Sequence, residues 1–533
     1  MTATHARHTD VAAPLAGSSG RNLAIIAAVA GGVTLLIRLA LHGRSFDVFG
    51  DEILYFDLGL SVTSGGFPRY LGPFFLHGPG FFYLEAGWAR AIGQQPSLMS
   101  WIYDMRSLNA VVAAATAPIL VTVTTRAASL RAGIAAGLLF AVEPFCIRQN
   151  DRVLLETAMM FWVMLGYLVF IGMIEQTRWR HGWPRAVAAG LFFGCAILTK
   201  DEAALLTIPP LLAAVALRWV PRRSLTVLTV GTTAAVYTVY VAVAYINGQF
   251  SDLWTAKTAG IKRMLGILQS TGFNSSSGGG SLSTRLVAEA SYFGTTYLTL
   301  ALAAPALLIV LVRGNRASRI LGLLYCGAGM TLAFAVVHGT LEEQELYLLI
   351  IPSLVIIPVA VTLISDAGRH SLKSARRPRM IFTTTIIAAL TLALGVNLNT
   401  CVRWVRQPDD GFAHVFRYMA AHIPAGTPVA VTDDDIAAEY GLSGTYDIEV
   451  WVTPTDQSQE RARYLLVLWA SIDGGYSTFT ASQIQHIIGR SRPVLSFWGR
   501  TYGQLALYKL SLASGSPKEQ LSAWPSPSPM EKY

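Results

Sequence analysis

The sequence predicts a polytopic α-helical membrane protein of about eleven transmembrane helices, with a small C-terminal extracytoplasmic α/β domain. Three observations predict it. Of 533 residues, 53% are hydrophobic and 14% charged, and a mean hydropathy of +0.45 is too apolar for a large soluble chain. Apolar runs long enough to cross about 30 Å of hydrocarbon recur from near Asn22 to beyond Met380. From Arg403 the pattern changes to short β-branched runs alternating with helical ones.

Residues 1–21 are polar and small and read as a cytoplasmic N-terminal segment. The first run, from Asn22, has no small-residue cleavage site after it and reads as a retained helix. Further runs begin near Leu108, Ala132, Val153, Ala186, Ala203, Leu225, Ser291, Ile320, Leu346 and Met380, giving a membrane module over 22–398. With the N-terminus inside, clusters at Arg126/Arg131, Arg178/Arg180/Arg185, Arg218/Arg222/Arg223, Arg313/Arg316/Arg319 and Arg369–Arg379 all fall on the cytoplasmic side. The net charge of +9 therefore belongs to membrane flanks, and nucleic acid is not the expected partner.

The apolar, aromatic stretch Phe74–Ile92 contains His77, Pro79, Glu85 and Arg90. If it crossed the bilayer it would invert every later loop, so it is placed as an interfacial helix on the outer surface. The same parity puts the loops 42–106 and 247–290 outside, together with an α/β domain over 403–510. The Ser/Pro-rich stretch 511–533 reads as a disordered tail, and Asn274–Ser281, NSSSGGGS, as a mobile part of the fourth outer loop. Four scattered cysteines signal neither a disulfide framework nor a zinc site.

The outer segments concentrate charge: Asp47, Asp51, Glu52 and Asp57, then Arg148, Asp151, Arg152 and Glu156, then Lys200, Asp201 and Glu202, then Glu342, Glu343 and Glu345. Ionisable groups at span ends are costly unless they pair or line a wet cavity, so a polar cavity at the outer surface is expected. Interfacial anchoring and structural ion pairing remain the alternative reading of the same charges. Asp51 and Glu52 are adjacent and cannot share one helix face; one would act as general base while the other orients it. Lys200, Arg148 and Arg152 are the cations on the correct side for a departing phosphate.

These residues also carry a resemblance. Gly50-Asp51-Glu52-Ile53-Leu54-Tyr55, His77-Gly78-Pro79-Gly80-Phe81-Phe82-Tyr83, Arg106-Ser107-Leu108, Glu143-Pro144 with Arg148, Asp151-Arg152 and Leu154-Leu155-Glu156, Leu198-Thr199-Lys200, and Tyr347 through Pro352 resemble, in order, motifs of the GT-C superfamily of membrane glycosyltransferases. The similarity is to the protein O-mannosyltransferase and lipid A aminoarabinose transferase branch and covers about Asn22 to Ala367. It implies inverting transfer from a polyprenyl-phosphate sugar to an extracytoplasmic protein, lipid or cell-envelope glycan. Asp51 would be the catalytic base with Glu52 supporting it, and Lys200, Arg152 and Arg148 would hold the donor phosphate. Tyr55, His77, Asp151, Glu156, Glu345 and Tyr347 would line the substrate cavity.

Two departures stand out: Asp201-Glu202 put acid beside the expected phosphate site, and Glu342, Glu343 and Glu345 stand where the family often has a basic residue. No cofactor is certain. Glu342, Glu343 and Glu345 read as contacts to acceptor hydroxyls or, with His338, as ligands that suit a divalent cation, although no spacing enforces one, and Asp433-Asp434-Asp435 reads as a solvated turn or a calcium attractor. Trp254, Lys257, Lys262 and Arg263 read as an interfacial helix or as acceptor contacts. A transporter or flippase, and a non-catalytic cell-envelope assembly subunit, are the competing function classes.

Overall fold

A computed structural model describes residues 17–510 apart from 44, 71, 96, 177–178, 269–281, 372–375, 433–435, 452–460, 474–476, 490 and 492. The tail from Ser511, the NSSSGGGS run and Asp433–Asp435 lie outside the described residues. The chain divides into two compact units, one of residues 1–45, 54–269 and 285–408, the other of 46–53, 270–284 and 409–533.

The first unit is built from α1 (Gly17–Leu41), most of α2 (Gly50–Ser61), α3 (Gly80–Ile92), α4 (Leu98–Ala127), α5 (Leu130–Val142), α6 (Pro144–Asn150), α7 (Leu155–Ile174), α8 (Trp179–Thr199), α9 (Ala203–Ala216), α10 (Arg223–Ile246), α11 (Phe250–Met264), most of α12 (Leu282–Arg313), α13 (Arg316–Val337), α14 (Leu346–Ser371) and α15 (Arg376–Arg406). Among the described residues, nine of these helices are long and apolar enough to cross a membrane. The third predicted run is the bent pair α5 and α6, which meet at 60°, and the sixth is the shorter apolar α9, so each predicted run has its helix.

The bend has a local cause. Pro144 opens α6, and the Glu143 carboxylate accepts from the Cys146 amide at 2.6 Å, so a fresh N-terminus forms where a straight helix would have continued. The stretch expected to lie on the surface forms α3, whose 13 residues reach only about 20 Å. Helix α8 approaches α10 closely because Gly190 and Gly194, one turn apart, leave no room for a Cβ. Such an atom would lie 2.5 Å from the Thr229 carbonyl and 2.6 Å from Val236.

The second unit contains α16 (Gly411–His422), β1 (Pro428–Thr432), α17 (Ile436–Leu442), β2 (Asp447–Trp451), β3 (Tyr464–Leu468), α18 (Trp469–Asp473), α19 (Ala481–Ile488), β4 (Pro493–Gly499) and β5 (Gly503–Lys509). The sheet order is β2-β1-β3-β5-β4. Strand β1 pairs in parallel with β2 and β3, while β5 runs antiparallel to β3 and β4. Its core includes Trp451, Leu465, Val467, Phe479, Ile484 and Tyr508.

This unit also holds the first-loop segment 46–53. The Asp47 carboxylate accepts from the Phe412 amide at the start of α16 at 3.0 Å, where a helix N-terminus favours an anion.

Candidate functional site

At the ends of several helices in the first unit, the predicted charges converge in a buried ionic cluster. Lys200 follows the last turn of α8 and is 3% exposed. Its Nζ donates to Glu156 Oε1 at 2.7 Å and lies 3.3 Å from Glu202 Oε2. Glu156 stands in the first turn of α7, a position favourable for a carboxylate, and also accepts from Gln149 Nε2 at 3.0 Å. Arg148 on α6 and Arg152 just beyond it both meet Glu343 Oε1, at 2.5 and 3.2 Å.

Arg148 is also fixed by apolar groups. Its guanidinium lies 4.6 Å from the Phe145 ring centroid, 4.4 Å from that of Phe293, and 3.9 Å from Glu289. Phe293 is where α12 breaks its helical geometry, at φ −117° and ψ 16°. A cavity of about 640 Å³ is lined by residues of α12 and α15, including Tyr292, Thr295, Asn399 and Arg403.

Tyr347 joins the cluster through Asn150, whose amide donates to Tyr347 Oη at 2.9 Å and to Thr157 at 3.1 Å. Arg38 of α1 donates to Asn150 Oδ1 at 3.1 Å and to the last carbonyls of α5. Asp151, 2% exposed, lies between the two arginines in sequence. The Glu345 amide donates to the Glu342 carbonyl at 3.2 Å, and its Oε2 is buried without a hydrogen-bond partner among the described residues.

Burial works against the charge on Lys200, but Glu156, Glu202 and Glu342 outweigh it and hold the ammonium well above its ordinary value. Burial raises the Glu202 carboxyl, with Glu156 and Glu342 adding to it against the pull of Lys200.

His77 stands at the rim of this cationic field, in edge contact with Tyr55 at 6.1 Å between ring centroids. Burial first, then Lys200, Lys257 and Arg263, holds its imidazole well below the ordinary value, so the neutral form is favoured. Because the folded pKa lies below the unfolded one, the stability this contributes is complete above the unfolded value of about 6.5. It is lost as pH falls toward the folded value. Thermal midpoints in detergent from pH 8 to pH 5 should therefore fall more steeply for wild type than for His77→Gln; equal slopes would contradict the assignment.

The site also takes in Asp201, which departs from the family pattern, and Lys257 and Arg263, read from the sequence as part of an interfacial helix or as acceptor contacts. Asp201 accepts from Lys257 Nζ at 2.6 Å and from Tyr237 Oη at 3.0 Å, and Lys257 also donates to the Leu76 carbonyl. Arg263 of α11 pairs with Glu342. Thus α11, expected as an interfacial helix, keeps Trp254 exposed while Lys257 and Arg263 turn inward onto the site. Of the acids that could serve as cation ligands, Glu342 pairs with Arg263 and Glu343 with Arg148 and Arg152. Among the described residues no group of three or more His, Cys, Asp or Glu side chains is arranged to hold a metal.

Asp51 and Glu52 fall in the first turn of α2, in the segment held by the second unit. Glu52 is fully buried, and its Oε2 accepts from the Phe49 amide at 2.9 Å, closing the turn before the helix. Tyr55, one turn after Asp51 and on the same helix face, lies in the first unit beside His77.

Residues 82–250 match the family described as dolichyl-phosphate-mannose-protein mannosyltransferase. No curated protein matches the chain in sequence. In structure the chain is similar to ArnT from Cupriavidus metallidurans in the apo state, at 13% identity and a TM-score of 0.56, covering 94% of this chain and 100% of that one. The similarity to the same protein bound to undecaprenyl phosphate is 12% identity and a TM-score of 0.53, over 93% and 100%. The archaeal oligosaccharyltransferase AglB from Archaeoglobus fulgidus, solved with an inhibitory peptide and a dolichol-phosphate, aligns over 86% of this chain and 70% of its own at 12% identity and a TM-score of 0.53. The shared feature is the fold, and the resemblance read from the motifs is borne out.

Proposed function

We infer that this chain, a membrane protein with the fold of the GT-C glycosyltransferases, transfers a sugar from a polyprenyl-phosphate donor to a hydroxyl-bearing acceptor on the extracytoplasmic side. The observation that carries this reading is the buried cluster in which Lys200, Arg148 and Arg152 are gathered at the helix ends. Three buried cations in one polar cluster suit a phosphate that gains charge as it leaves. The solved relatives bound to undecaprenyl phosphate and dolichol-phosphate support a lipid phosphate as the ligand.

Each cation already faces a carboxylate, so the donor phosphate takes over contacts now made by Glu343, Glu156 and Glu202. The acceptor oxygen bonds to the anomeric carbon from the face opposite the phosphate, inverting it. The bond from that carbon to the phosphate oxygen breaks, and the electron pair leaves with the lipid phosphate. The acceptor proton passes to Asp51 as general base. Glu52 shapes the turn that presents Asp51, and Tyr55 and the neutral imidazole of His77 line the substrate cavity. The arginine clusters of the predicted inner loops support an extracytoplasmic site and C-terminal domain.

In liposomes supplied with radiolabelled polyprenyl-phosphate sugars and a membrane extract, wild type should transfer label. Asp51→Asn should be slower by roughly 10²- to 10⁴-fold with an unchanged thermal midpoint. Undiminished transfer by Asp51→Asn would remove Asp51 as base. Movement of the lipid sugar across the bilayer without transfer would favour a flippase.

A further inference from the structure

We propose that the C-terminal α/β unit is the positioning element for the catalytic aspartate, acting through Thr501, Asp409 and Tyr502 on the segment that carries Asp51. The inference rests on the proposed role of Asp51. It assigns to the α/β unit a function that its sequence did not reveal.

The contacts form a closed network within the second unit. The Asp47 amide donates to Thr501 Oγ1 at 3.0 Å, and Thr501 Oγ1 in turn donates to Asp409 Oδ2 at 2.9 Å. The Thr501 amide donates to the same Asp409 oxygen at 2.9 Å. Tyr502 Oη donates to the Val48 carbonyl at 2.7 Å, and the Asp47 carboxylate accepts from the amides of Val48 and Phe412. Asp47, Val48, Asp409 and Tyr502 are all buried. Residues 47 and 48 are thus held by side chains more than 450 positions away, and Glu52 closes the turn from 49 to 52. Asp51 is the residue this anchored turn delivers.

Two glycines make room for the network. A Cβ at Gly411 would lie 2.9 Å from Asp47 Oδ2 and 2.8 Å from the Phe497 ring, and one at Gly499 would lie 1.9 Å from Asp409 Oδ1. The Asp409-Asp410-Gly411 and Gly499-Arg500-Thr501 sequences are therefore shaped around two carboxylates whose contacts lead to the first loop. A domain needed only for its own stability has no reason to spend a half-buried hydroxyl and a buried phenol on that loop.

The test is the transfer assay on full-length Thr501→Val, which keeps the shape and removes the hydroxyl, beside Thr501→Ser, which restores it, and Tyr502→Phe. A displacement of Asp51 by about 1 Å is worth up to roughly 10²-fold in rate. Thr501→Val and Tyr502→Phe should therefore lower kcat by roughly 10- to 100-fold with the donor KM unchanged, and Thr501→Ser should recover most of it. If Thr501→Val keeps wild-type kcat, or if Thr501→Ser is as slow as Thr501→Val, the inference is overturned. So it is if kcat merely follows a lost thermal midpoint that a lower assay temperature restores. Wild type that transfers no sugar from any donor would instead defeat the functional reading itself, so the two failures are distinguishable.

Discussion

Lys200→Met should both abolish sugar transfer and lower the thermal midpoint, making it the most damaging single change in the cluster. The ammonium sits 2.7 Å from Glu156, whose side chain is 1% exposed, and removing it leaves that carboxylate buried with Gln149 as its donor among the described residues. Breaking a buried pair from one side typically costs about 3–5 kcal/mol. Glu202 loses the Lys200 cation that opposes the rise of its carboxyl, so that acid becomes harder to keep charged.

The double variant Lys200→Met/Glu156→Gln separates stability from chemistry. Neutralising the orphaned acid should return most of the thermal midpoint, since a buried pair replaced on both sides is often near neutral. Transfer should stay absent, because the leaving phosphate still lacks the Lys200 ammonium. Recovery of transfer in the double variant would show that Lys200 serves the fold rather than the phosphate.

How much of this was legible in the sequence depends on the range of the interaction concerned. The spans were readable because apolar length is a local property, and the bend between α5 and α6 was marked by Glu143-Pro144. That Lys200, Arg148 and Arg152 belong to one cluster followed from the parity of arginine-rich loops, a statement about sides of a membrane. Their carboxylate partners were not legible: Glu343 is nearly two hundred residues from the arginines it joins, and nothing local marks it above Glu342 or Glu345. The pairing of Lys257 with Asp201 was hidden for the same reason, since α11 reads as an amphipathic surface helix whichever way its lysine turns. Least visible of all was the hold of the C-terminal unit on Asp47, where an ordinary Gly-Arg-Thr turn between two strands reaches back to the first loop.

Gly78→Ala should damage stability and donor binding together. It adds one methyl group, yet it tests why two distant motifs occur together. A Cβ at Gly78 would lie 2.2 Å from the Leu198 carbonyl oxygen and 2.6 Å from its carbon, and one at Gly80 would lie 3.0 Å from the same oxygen. The obstacle is backbone in the last turn of α8, which cannot rotate aside as a side-chain tip could. The glycines of His77-Gly78-Pro79-Gly80 are therefore the seat on which Leu198-Thr199-Lys200 rests. Overpacking of this kind costs about 1–3 kcal/mol, and relief requires moving either His77 or the turn that carries Lys200. Gly78→Ala should thus lower the thermal midpoint and raise the donor KM together, whereas Gly87→Ala on α3, where a Cβ meets nothing within 4 Å, should change neither. If Gly78→Ala altered stability alone and bound donor normally, the packing of the two motifs would be a matter of folding, and the phosphate site would owe its geometry to other contacts.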